Sequence, residues 1–488
     1  MGSLCEYLLE ANKGQLENVA LKHGSPNGPS MTYSDLFIQA KNLARKLPQK
    51  TIISLALDNT VQYVVNFLAI GLAGSIVAPL NPAYSDSEFE FYLKRSPGGV
   101  VGTSAALTRA ASKLGLPILS GEGTSSATLP NVNVNDNALI LFTSGTTGDP
   151  KAVPLSHSNL IASIKNIIAT YKLRNTDTTI AIMPLFHIHG LMASLFATLA
   201  SGGTVVLPSM GKFSASNFFS ELILNNCTWF SAVPTMHHIL LQTSEGRSML
   251  SQHQLRFIRS CSSALAPALL HQVEAMFRVE VLEAYAMTEA SHQMTSNPIG
   301  KRKPGTVGLP QGSVKIRIVN QSGVQEPCGV RGEICVQGPN VTLGYLNNPT
   351  VNGSAFVNGF FRTGDEGFLD KDGYLTITGR LKELINKGGE KISPIEIDSA
   401  LLSHPSVAQA VAFTIPDAKY GEVVGAAVVL KRGASNITEA KLKEFTSTKI
   451  AAFKVPSKIY IEADIPRTAT GKIQRRLVAE KFLKNSKL

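Results

Sequence analysis

The chain has 488 residues, which is too long for one ordinary hydrophobic core, and the usual size of domains predicts about two to four structural units. Hydrophobic residues make up 44% of the chain and charged residues 17%, a composition that excludes disordered and fibrous proteins. The formal net charge is +11, but the Lys and Arg residues are scattered and form no basic run interleaved with aromatic residues. A small polyanionic ligand therefore fits the charge better than nucleic acid does, and nucleic acid stays open as the less favoured partner.

Helical segments alternate with short apolar runs from Thr32 to Leu207. Helices are predicted at 33–46, 60–72 and 156–172, and strands at 51–56, 138–142 and 204–207. The longest apolar segment, 63–80, contains Asn66 and Gly71 and predicts a buried helix followed by a strand, not a membrane span. This alternation is typical of βαβ units and predicts a mostly parallel sheet.

The pattern of strands continues and then changes after Gly305. Strand-like runs lie at 228–233, 255–260 and 279–284, followed by strands punctuated by Gly at 314–319, 332–338 and 374–378. The second group predicts a β-rich subdomain over about 305–380. Beyond it, helices at 393–402 and 438–449 alternate with strands at 407–414 and 423–430. The predicted fold is α/β, with a large N-terminal body over 1–380 and a small, mobile α+β domain over 381–488.

The cysteines and the first and last residues of the sequence indicate the cellular compartment. The five cysteines are odd in number, widely spaced and without a Cys-x-x-Cys pair, which favours a reducing compartment over a disulfide framework or a zinc site. The first residues contain no basic region followed by a long apolar stretch, so a secretory signal is not predicted. Ser486-Lys487-Leu488 matches the tripeptide that the peroxisomal import receptor reads, which predicts a location in the peroxisomal matrix.

The strongest motif is a run of hydroxyl and glycine residues directly after the predicted strand 138–142 and before the helix expected near Ser156. It consists of Thr143, Ser144, Gly145, Thr146, Thr147 and Gly148, followed by Lys151. Backbone amides and hydroxyls in such a loop can surround phosphate oxygens, and Lys151 can neutralise their charge. The run is neither GxxxxGK[ST] nor GxGxxG, so it predicts a nucleotide-phosphate loop outside the P-loop NTPase and Rossmann classes.

This loop resembles the phosphate loop of the adenylate-forming superfamily, which includes acyl-CoA synthetases, luciferases and peptide-synthetase adenylation domains. Four further segments resemble motifs of that superfamily in the same order: EAYAMTE at 283–289, FRTGD at 361–365, GRLKE at 379–383 and PRTATGK at 466–472. Ala286 stands where many relatives have Gly. The resemblance covers essentially the whole chain and implies an acid–CoA ligase, which activates a carboxylate as an acyl-AMP and then transfers the acyl group to CoA.

The resemblance also implies roles for individual residues. Lys472 and a magnesium ion held by Glu289 would supply positive charge where two anions meet, and Thr288 would offer a hydroxyl to the phosphate. Asp365 would accept from the ribose hydroxyls, and Arg380 would add a fixed pair of donors. The other implied ATP- or AMP-binding residues, besides the phosphate loop with Lys151, are Ser263, Ala264, Glu283, Ala284 and Tyr285.

The second half-reaction needs a different geometry, because a thiol has to reach the acyl carbonyl after pyrophosphate has left. The resemblance implies that the C-terminal domain rotates about Lys382, which removes Lys472 from the site. The same rotation would bring Lys387, Gly388 and Gly389 to CoA, and glycines there would let the thiol arm pass close to the backbone.

The histidines are candidate residues for binding the acid substrate. Eight of the ten histidines lie between His157 and His292, and His187 and His292 are candidates for hydrogen bonds to a second carboxylate, with Ser262 adding a hydroxyl. A zinc site at the His-x-His of 187–189 has no clear third ligand. Segments around these residues, including PLFHIHGLM and FIRSCSSALAPA, resemble the oxalyl-CoA synthetase branch and especially its fungal peroxisomal members. The resemblance implies oxalate as the acid, while medium-chain or aromatic acids and an additional RNA-binding role stay open.

Overall fold

The structure is a computed structural model that describes residues 2–121, 127–143, 150–431, 433–434, 436–467 and 473–485. The helices are α1 (Leu4–Asn12), α2 (Tyr33–Ala44), α3 (Val61–Leu72), α4 (Asp86–Leu93), α5 (Ala105–Lys113), α6 (His157–Tyr171), α7 (Ala197–Ala200), α8 (Ala215–Leu224), α9 (Pro234–Gln242), α10 (Pro267–Phe277), α11 (Pro349–Ala355), α12 (Pro394–Leu402), α13 (Glu439–Ser447) and α14 (Arg475–Asn485). A π-helical segment, Gly190–Phe196, leads into α7. The described part of the chain contains no helix that is both long and apolar enough to cross a membrane.

The strands fall into four sheets. In chain order they are β1 (Val19–His23), β2 (Ser30–Thr32), β3 (Ile52–Ala56), β4 (Ile76–Pro79), β5 (Val100–Gly102), β6 (Asn137–Thr143), β7 (Lys151–Ser156), β8 (Thr178–Ile180), β9 (Thr204–Leu207), β10 (Trp229–Ala232), β11 (Phe257–Cys261), β12 (Val281–Met287), β13 (His292–Ser296), β14 (Leu309–Pro310), β15 (Lys315–Val319), β16 (Gly332–Gln337), β17 (Phe356–Val357), β18 (Phe360–Leu369), β19 (Leu375–Arg380), β20 (Ile385–Lys387), β21 (Glu390–Ile392), β22 (Val407–Asp417), β23 (Gly421–Leu430) and β24 (Lys458–Glu462).

The largest sheet positions the candidate site. Its order is β14-β13-β12-β11-β10-β8-β9-β1-β2, and the six strands from β12 to β1 run parallel to one another. Parallel strands end at the same edge of a sheet, and ligands of open α/β sheets bind in the crevice beyond those carboxyl ends. The segments after β8, β11 and β12 leave from that edge, and they carry the predicted acid-binding and magnesium-binding residues.

A second sheet, β5-β3-β4-β6-β7, has parallel neighbours except for the hairpin of β6 and β7. Helix α6 follows directly after this hairpin. It begins where the Ser156 side chain accepts a hydrogen bond from the Asn159 amide at 3.1 Å and the Asn159 side chain accepts from the Ser156 amide at 3.0 Å. Such a reciprocal cap stabilises a helix start by about 1 kcal/mol and fixes where the hairpin ends.

The remaining two sheets lie later in the chain. One consists of antiparallel strands β15 to β19, with β18 at its centre. The other has the order β21-β20-β23-β22, with β24 parallel to β23, and α12, α13 and α14 contact its strands or each other. Ile385, Leu401 and Val424 belong to a buried apolar cluster of this last sheet that is separate from the main core. The predicted α/β fold with parallel-rich sheets is therefore confirmed.

One local expectation needs correction. The phosphate loop was expected between a strand and the helix that begins near Ser156, but β7 intervenes. Thr143 and Lys151 are paired across the β6–β7 hairpin, so the loop connects two antiparallel strands. Val153 and Leu155 are buried and alternate with partly exposed neighbours, which is the pattern of a half-buried strand.

Candidate active site

The β6–β7 hairpin fixes both ends of the phosphate loop. The Thr143 hydroxyl lies 3.5 Å from the Lys151 carbonyl oxygen, and the two residues are cross-strand partners. Ser144, Gly145, Thr146, Thr147 and Gly148 lie outside the described residues. The amine of Lys151 lies 4.7 Å from the ring centroid of Tyr345, which keeps this cation beside the aromatic face.

Glu289 lies next to this cation, just after the end of β12. It is 8% exposed, and the Tyr345 hydroxyl donates to its carboxylate at 2.8 Å. Burial raises the pKa of Glu289, whereas Tyr345 and the positive charges of Arg380 and Lys151 act in the opposite direction. A buried carboxylate stabilised by nearby cations is a suitable oxygen ligand for Mg²⁺. Among the described residues no group of three or more His, Cys, Asp or Glu could hold a metal by itself, so phosphate oxygens would have to complete the coordination.

The predicted ribose contacts lie together. Asp365 on β18 is the cross-strand partner of Arg380 on β19, and their side chains form an ion pair at 3.3 Å. The Tyr285 hydroxyl, from the end of β12, donates to the same carboxylate. Burial raises the pKa of Asp365, while Arg380 and Tyr285 favour its charged form. Arg380 remains 46% exposed, so its donors are accessible to a ligand as well as to Asp365.

The other predicted nucleotide residues have different environments. Ser263 and Ala264 are exposed just beyond β11, where a ligand over the sheet edge could contact them. Ala284 and Thr288 are buried, on β12 and directly after it. Glu283 is also buried, and its carboxylate accepts from the Gly305 amide at 3.3 Å. Burial raises the pKa of Glu283 to about 7.

The predicted acid-binding residues are connected through His189. The His189 Nδ1 atom lies 3.1 Å from the Ser262 hydroxyl, and the His189 ring stacks on the His292 ring with centroids 4.9 Å apart. His187 contacts the same residue through its Nδ1, which accepts from the His189 amide at 3.2 Å. Ser262 and His292 both have positive φ angles, of 75° and 88°. Non-glycine residues in this conformation are strained and often occur at functional sites.

Sequence reasoning missed three residues of this region as site residues. His189 was noted only as part of a zinc-like pair, Tyr345 was not considered, and Arg259 was not considered although its side chain is fully buried. Arg259 sits on β11 opposite Ser231 of β10 and donates to the Ser231 hydroxyl at 3.1 Å. The sequence signal for it was a charged residue, Arg259, within an apolar strand segment and just before a Ser-rich strand end. Its burial, however, depends on neighbouring strands far apart in the sequence.

The predicted hinge and CoA residues lie in the C-terminal part of the chain. Lys382 is exposed in a short 3-10 segment, Leu381–Glu383, directly after β19. Gly388 and Gly389 have φ angles of 60° and 96° and form the turn of the β20–β21 hairpin, which alone explains the need for glycine. Lys387 donates from its amine to the Phe453 carbonyl oxygen at 2.7 Å. Lys472 lies outside the described residues.

Comparison with known proteins agrees with this geometry. Residues 9–346 match the family described as AMP-binding enzyme, and residues 396–472 match the AMP-binding enzyme C-terminal domain. The chain is 45% identical to an oxalate–CoA ligase of Arabidopsis thaliana, over 96% of this chain and 98% of that protein. It is 44% identical to an oxalate–CoA ligase of Saccharomyces cerevisiae, over 89% of this chain and 87% of that protein.

A similar solved structure is ATP-bound MatB from Rhodopseudomonas palustris, with a TM-score of 0.90 and 30% identity over 99% of both chains. The apo form of that protein gives a TM-score of 0.80 at the same coverage. The whole-chain match includes both the large body and the small C-terminal domain. The chain belongs to the AMP-binding enzyme family and is an AMP-forming acid–CoA ligase that uses ATP, Mg²⁺ and CoA.

Proposed function

We propose that the acid is oxalate and that the chain forms oxalyl-CoA, with release of AMP and pyrophosphate. The observation that carries the proposal is the polar cluster of Ser262, His189 and His292, which meets at the carboxyl edge of the large sheet. The similarity to oxalate–CoA ligases over nearly the whole chain supports the same assignment. A small dianion needs several hydrogen-bond donors around its distal carboxylate. Ser262 and His292 are the candidate donors, and the buried His189 contacts both of them.

The first half-reaction joins the oxalate carboxylate to the α-phosphate of ATP and expels pyrophosphate. Lys472 and Lys151 supply positive charge to the phosphates, and Thr288 supplies a hydroxyl. Glu289 and the phosphate oxygens would hold Mg²⁺, which neutralises phosphate charge when bound. Asp365 and Arg380 orient the ribose, and Ser262 and His292 orient the distal carboxylate. Positioning two anions against fixed cations is the main catalytic contribution of this chain.

The second half-reaction transfers the oxalyl group to the CoA thiol. In this proposal the C-terminal domain rotates about Lys382, so that Lys472 leaves and the β20–β21 turn approaches the acyl-AMP. Lys382 is exposed, which is compatible with a hinge, and the residues on either side of it are held by contacts that a rotation has to exchange. One such contact crosses the hinge, because Ser393 donates from its hydroxyl to the Thr378 carbonyl oxygen. The ion pair of Glu383 with Arg475 of α14, at 3.2 Å, lies within the part that rotates.

The proposed location is the peroxisomal matrix, through the import receptor that reads Ser486-Lys487-Leu488. These residues lie outside the described part of the chain, so the proposal rests on the sequence. Deletion of the tripeptide from a fluorescently tagged chain is expected to leave it in the cytosol. Import that persists without the tripeptide would contradict this location signal.

The substrate is tested by pyrophosphate release from purified protein with ATP, Mg²⁺ and CoA. The panel of acids is oxalate, malonate, acetate, a medium-chain fatty acid and a cinnamate. We expect kcat/KM for oxalate to exceed that for acetate by at least about 100-fold, because the polar cluster is left without its anionic partner when the distal carboxylate is missing. Turnover of the longer or aromatic acids alone would preserve the ligase mechanism and reject the oxalate assignment.

A further inference from the structure

A fully buried arginine lies behind the acid pocket. Arg259, on the middle of β11, is 0% exposed. Its guanidinium donates to the Tyr171 hydroxyl at 2.8 Å, to the Gln293 side-chain oxygen at 3.2 Å and to the Ser231 hydroxyl at 3.1 Å. Within the described part of the chain no carboxylate forms an ion pair with it. The positive charge is therefore stabilised by neutral polar groups and is not cancelled locally.

This arginine determines the direction of a hydrogen-bond chain. Guanidinium groups only donate, and the Arg259 Nη1 atom lies 3.3 Å from the His189 Nε2 atom as well as 3.1 Å from Ser231. A proton on His189 Nε2 would face the N–H groups of Arg259 directly. His189 Nε2 is therefore an acceptor, and the Ser231 hydroxyl, 2.6 Å away, donates to it.

The direction continues to the substrate side of the histidine. With Nε2 accepting, the neutral His189 ring carries its proton on Nδ1. That Nδ1 lies 3.1 Å from the Ser262 hydroxyl, so it donates and the Ser262 oxygen accepts. The Ser262 hydrogen is then left to donate elsewhere. A serine in this state presents a donor to a carboxylate, whereas the opposite direction would present an oxygen lone pair and repel it.

We propose that Arg259, Ser231 and His189 are positioning residues that fix Ser262 as a hydrogen-bond donor and thereby set the preference for an acid with a distal carboxylate. The stacking of His189 on His292 lets the same histidine hold both pocket residues in place. This inference rests on the proposed function, because a distal carboxylate is the group that Ser262 would recognise. Arg259 would then affect the preference among acids through Ser231 and His189, without touching the acid itself.

The first test does not use activity. The full chain is labelled with ¹⁵N in the histidine rings, and the His189 signals are identified as those lost in His189→Asn. At neutral pH we expect a protonated Nδ1 and an unprotonated Nε2. A protonated Nε2, in either the other neutral tautomer or an imidazolium, would reverse the chain and overturn the inference.

The second test compares oxalate with oxamate, a near-isosteric acid whose distal group is a neutral amide. Ser231→Ala removes the hydroxyl between Arg259 and His189 with little loss of volume, so it avoids the folding risk of replacing Arg259. We expect it to lower the ratio of kcat/KM for oxalate over oxamate by roughly 10-fold, mainly through KM for oxalate, with KM for ATP unchanged. Ser54→Ala is the matched control, because Ser54 is also fully buried but lies on β3 of the second sheet.

The outcomes separate the inference from the proposed function. If the unmodified chain does not use oxalate, the proposed function fails, and the tautomer of His189 alone decides the direction of the chain. If the unmodified chain uses oxalate and Ser231→Ala keeps the oxalate-to-oxamate ratio, the positioning role is wrong while the function stands. A fall in the ratio for Ser231→Ala but not for Ser54→Ala supports it.

Discussion

The nucleotide site and the acid pocket are built in two different ways. The nucleotide residues lie in short continuous motifs at strand ends and hairpins, and several of them, such as Ser263 and Arg380, are exposed to a ligand. The acid pocket combines residues from β10, β11 and β13 with the segment after β8, and its supporting residues Arg259 and His189 are fully buried. A ligand that is bound by local motifs can be inferred from the sequence. Substrate specificity that depends on a buried hydrogen-bond network can be inferred only when the fold is known.

The largest effect is expected at the nucleotide site. Lys472→Ala should reduce acyl-AMP formation by roughly 1,000-fold, because a cation that stabilises the transferring phosphate is lost. Thioester formation from preformed acyl-AMP should be largely retained, since the hinge proposal removes Lys472 from the site in that step. The two rates are measured separately, by pyrophosphate release and by CoA-dependent consumption of synthetic acyl-AMP. Equal losses in both would contradict the rotation about Lys382.

A second change tests the same region through its buried carboxylate. Glu289→Gln keeps the shape of the side chain and removes its charge, so it should weaken Mg²⁺ binding and lower kcat by roughly 100-fold. The Mg²⁺ concentration that gives half-maximal rate should rise at saturating ATP. Tyr345→Phe is the control, because it removes only the hydrogen bond to Glu289 and should cost much less. An unchanged Mg²⁺ requirement in Glu289→Gln would remove this residue from the metal site.

The contrast between the two sites also explains what sequence reasoning could reach. Two nucleotide motifs can be recognised from a short stretch of sequence alone: the hydroxyl and glycine run before Lys151, and the Gly-Asp pair at Asp365. Backbone amides perform the role of the first motif, and a single carboxylate performs the role of the second. Apolar runs predicted a mostly parallel sheet and the strands β9 to β12 of the largest sheet, whereas β1, β2, β8, β13 and β14 were not predicted. Arg259 could not be recognised in this way, since a charged residue in a strand predicts an exposed position, and its burial depends on contacts with α6, β10 and β13 that only the fold brings together. Strand β7 was missed because the phosphate motif suggested a direct connection to a helix.

The acid pocket should respond in substrate preference more than in overall rate. His292→Ala should raise KM for a dicarboxylate by roughly 10- to 100-fold and KM for a monocarboxylate of similar size much less, because the histidine is assigned to the distal carboxylate. KM for ATP, measured in parallel, should not change. Equal effects on the two acids would mean that His292 does not contact the distal carboxylate and lies outside the pocket.

The last prediction concerns the titration of Glu283, a buried residue on β12. The pKa of this buried carboxyl is raised to about 7 from an ordinary value of 4.5. Between these two values the folded state binds a proton that the unfolded state has lost, so the free energy of unfolding falls as pH rises through that range. Glu283→Gln removes this dependence. Its stability relative to the unmodified chain should therefore increase by up to about 3 kcal/mol between pH values below and above that range.

Urea unfolding followed by tryptophan fluorescence measures this difference, because the chain has one tryptophan, Trp229, and it is fully buried on β10 of the same sheet. Other buried carboxyls titrate in both proteins and cancel in the comparison. KM for ATP decides the remaining question about Glu283. A stability difference with unchanged KM makes the carboxyl part of the scaffold that holds Gly305, whereas a raised KM without a pH-dependent stability difference places it in contact with the nucleotide and contradicts the raised pKa.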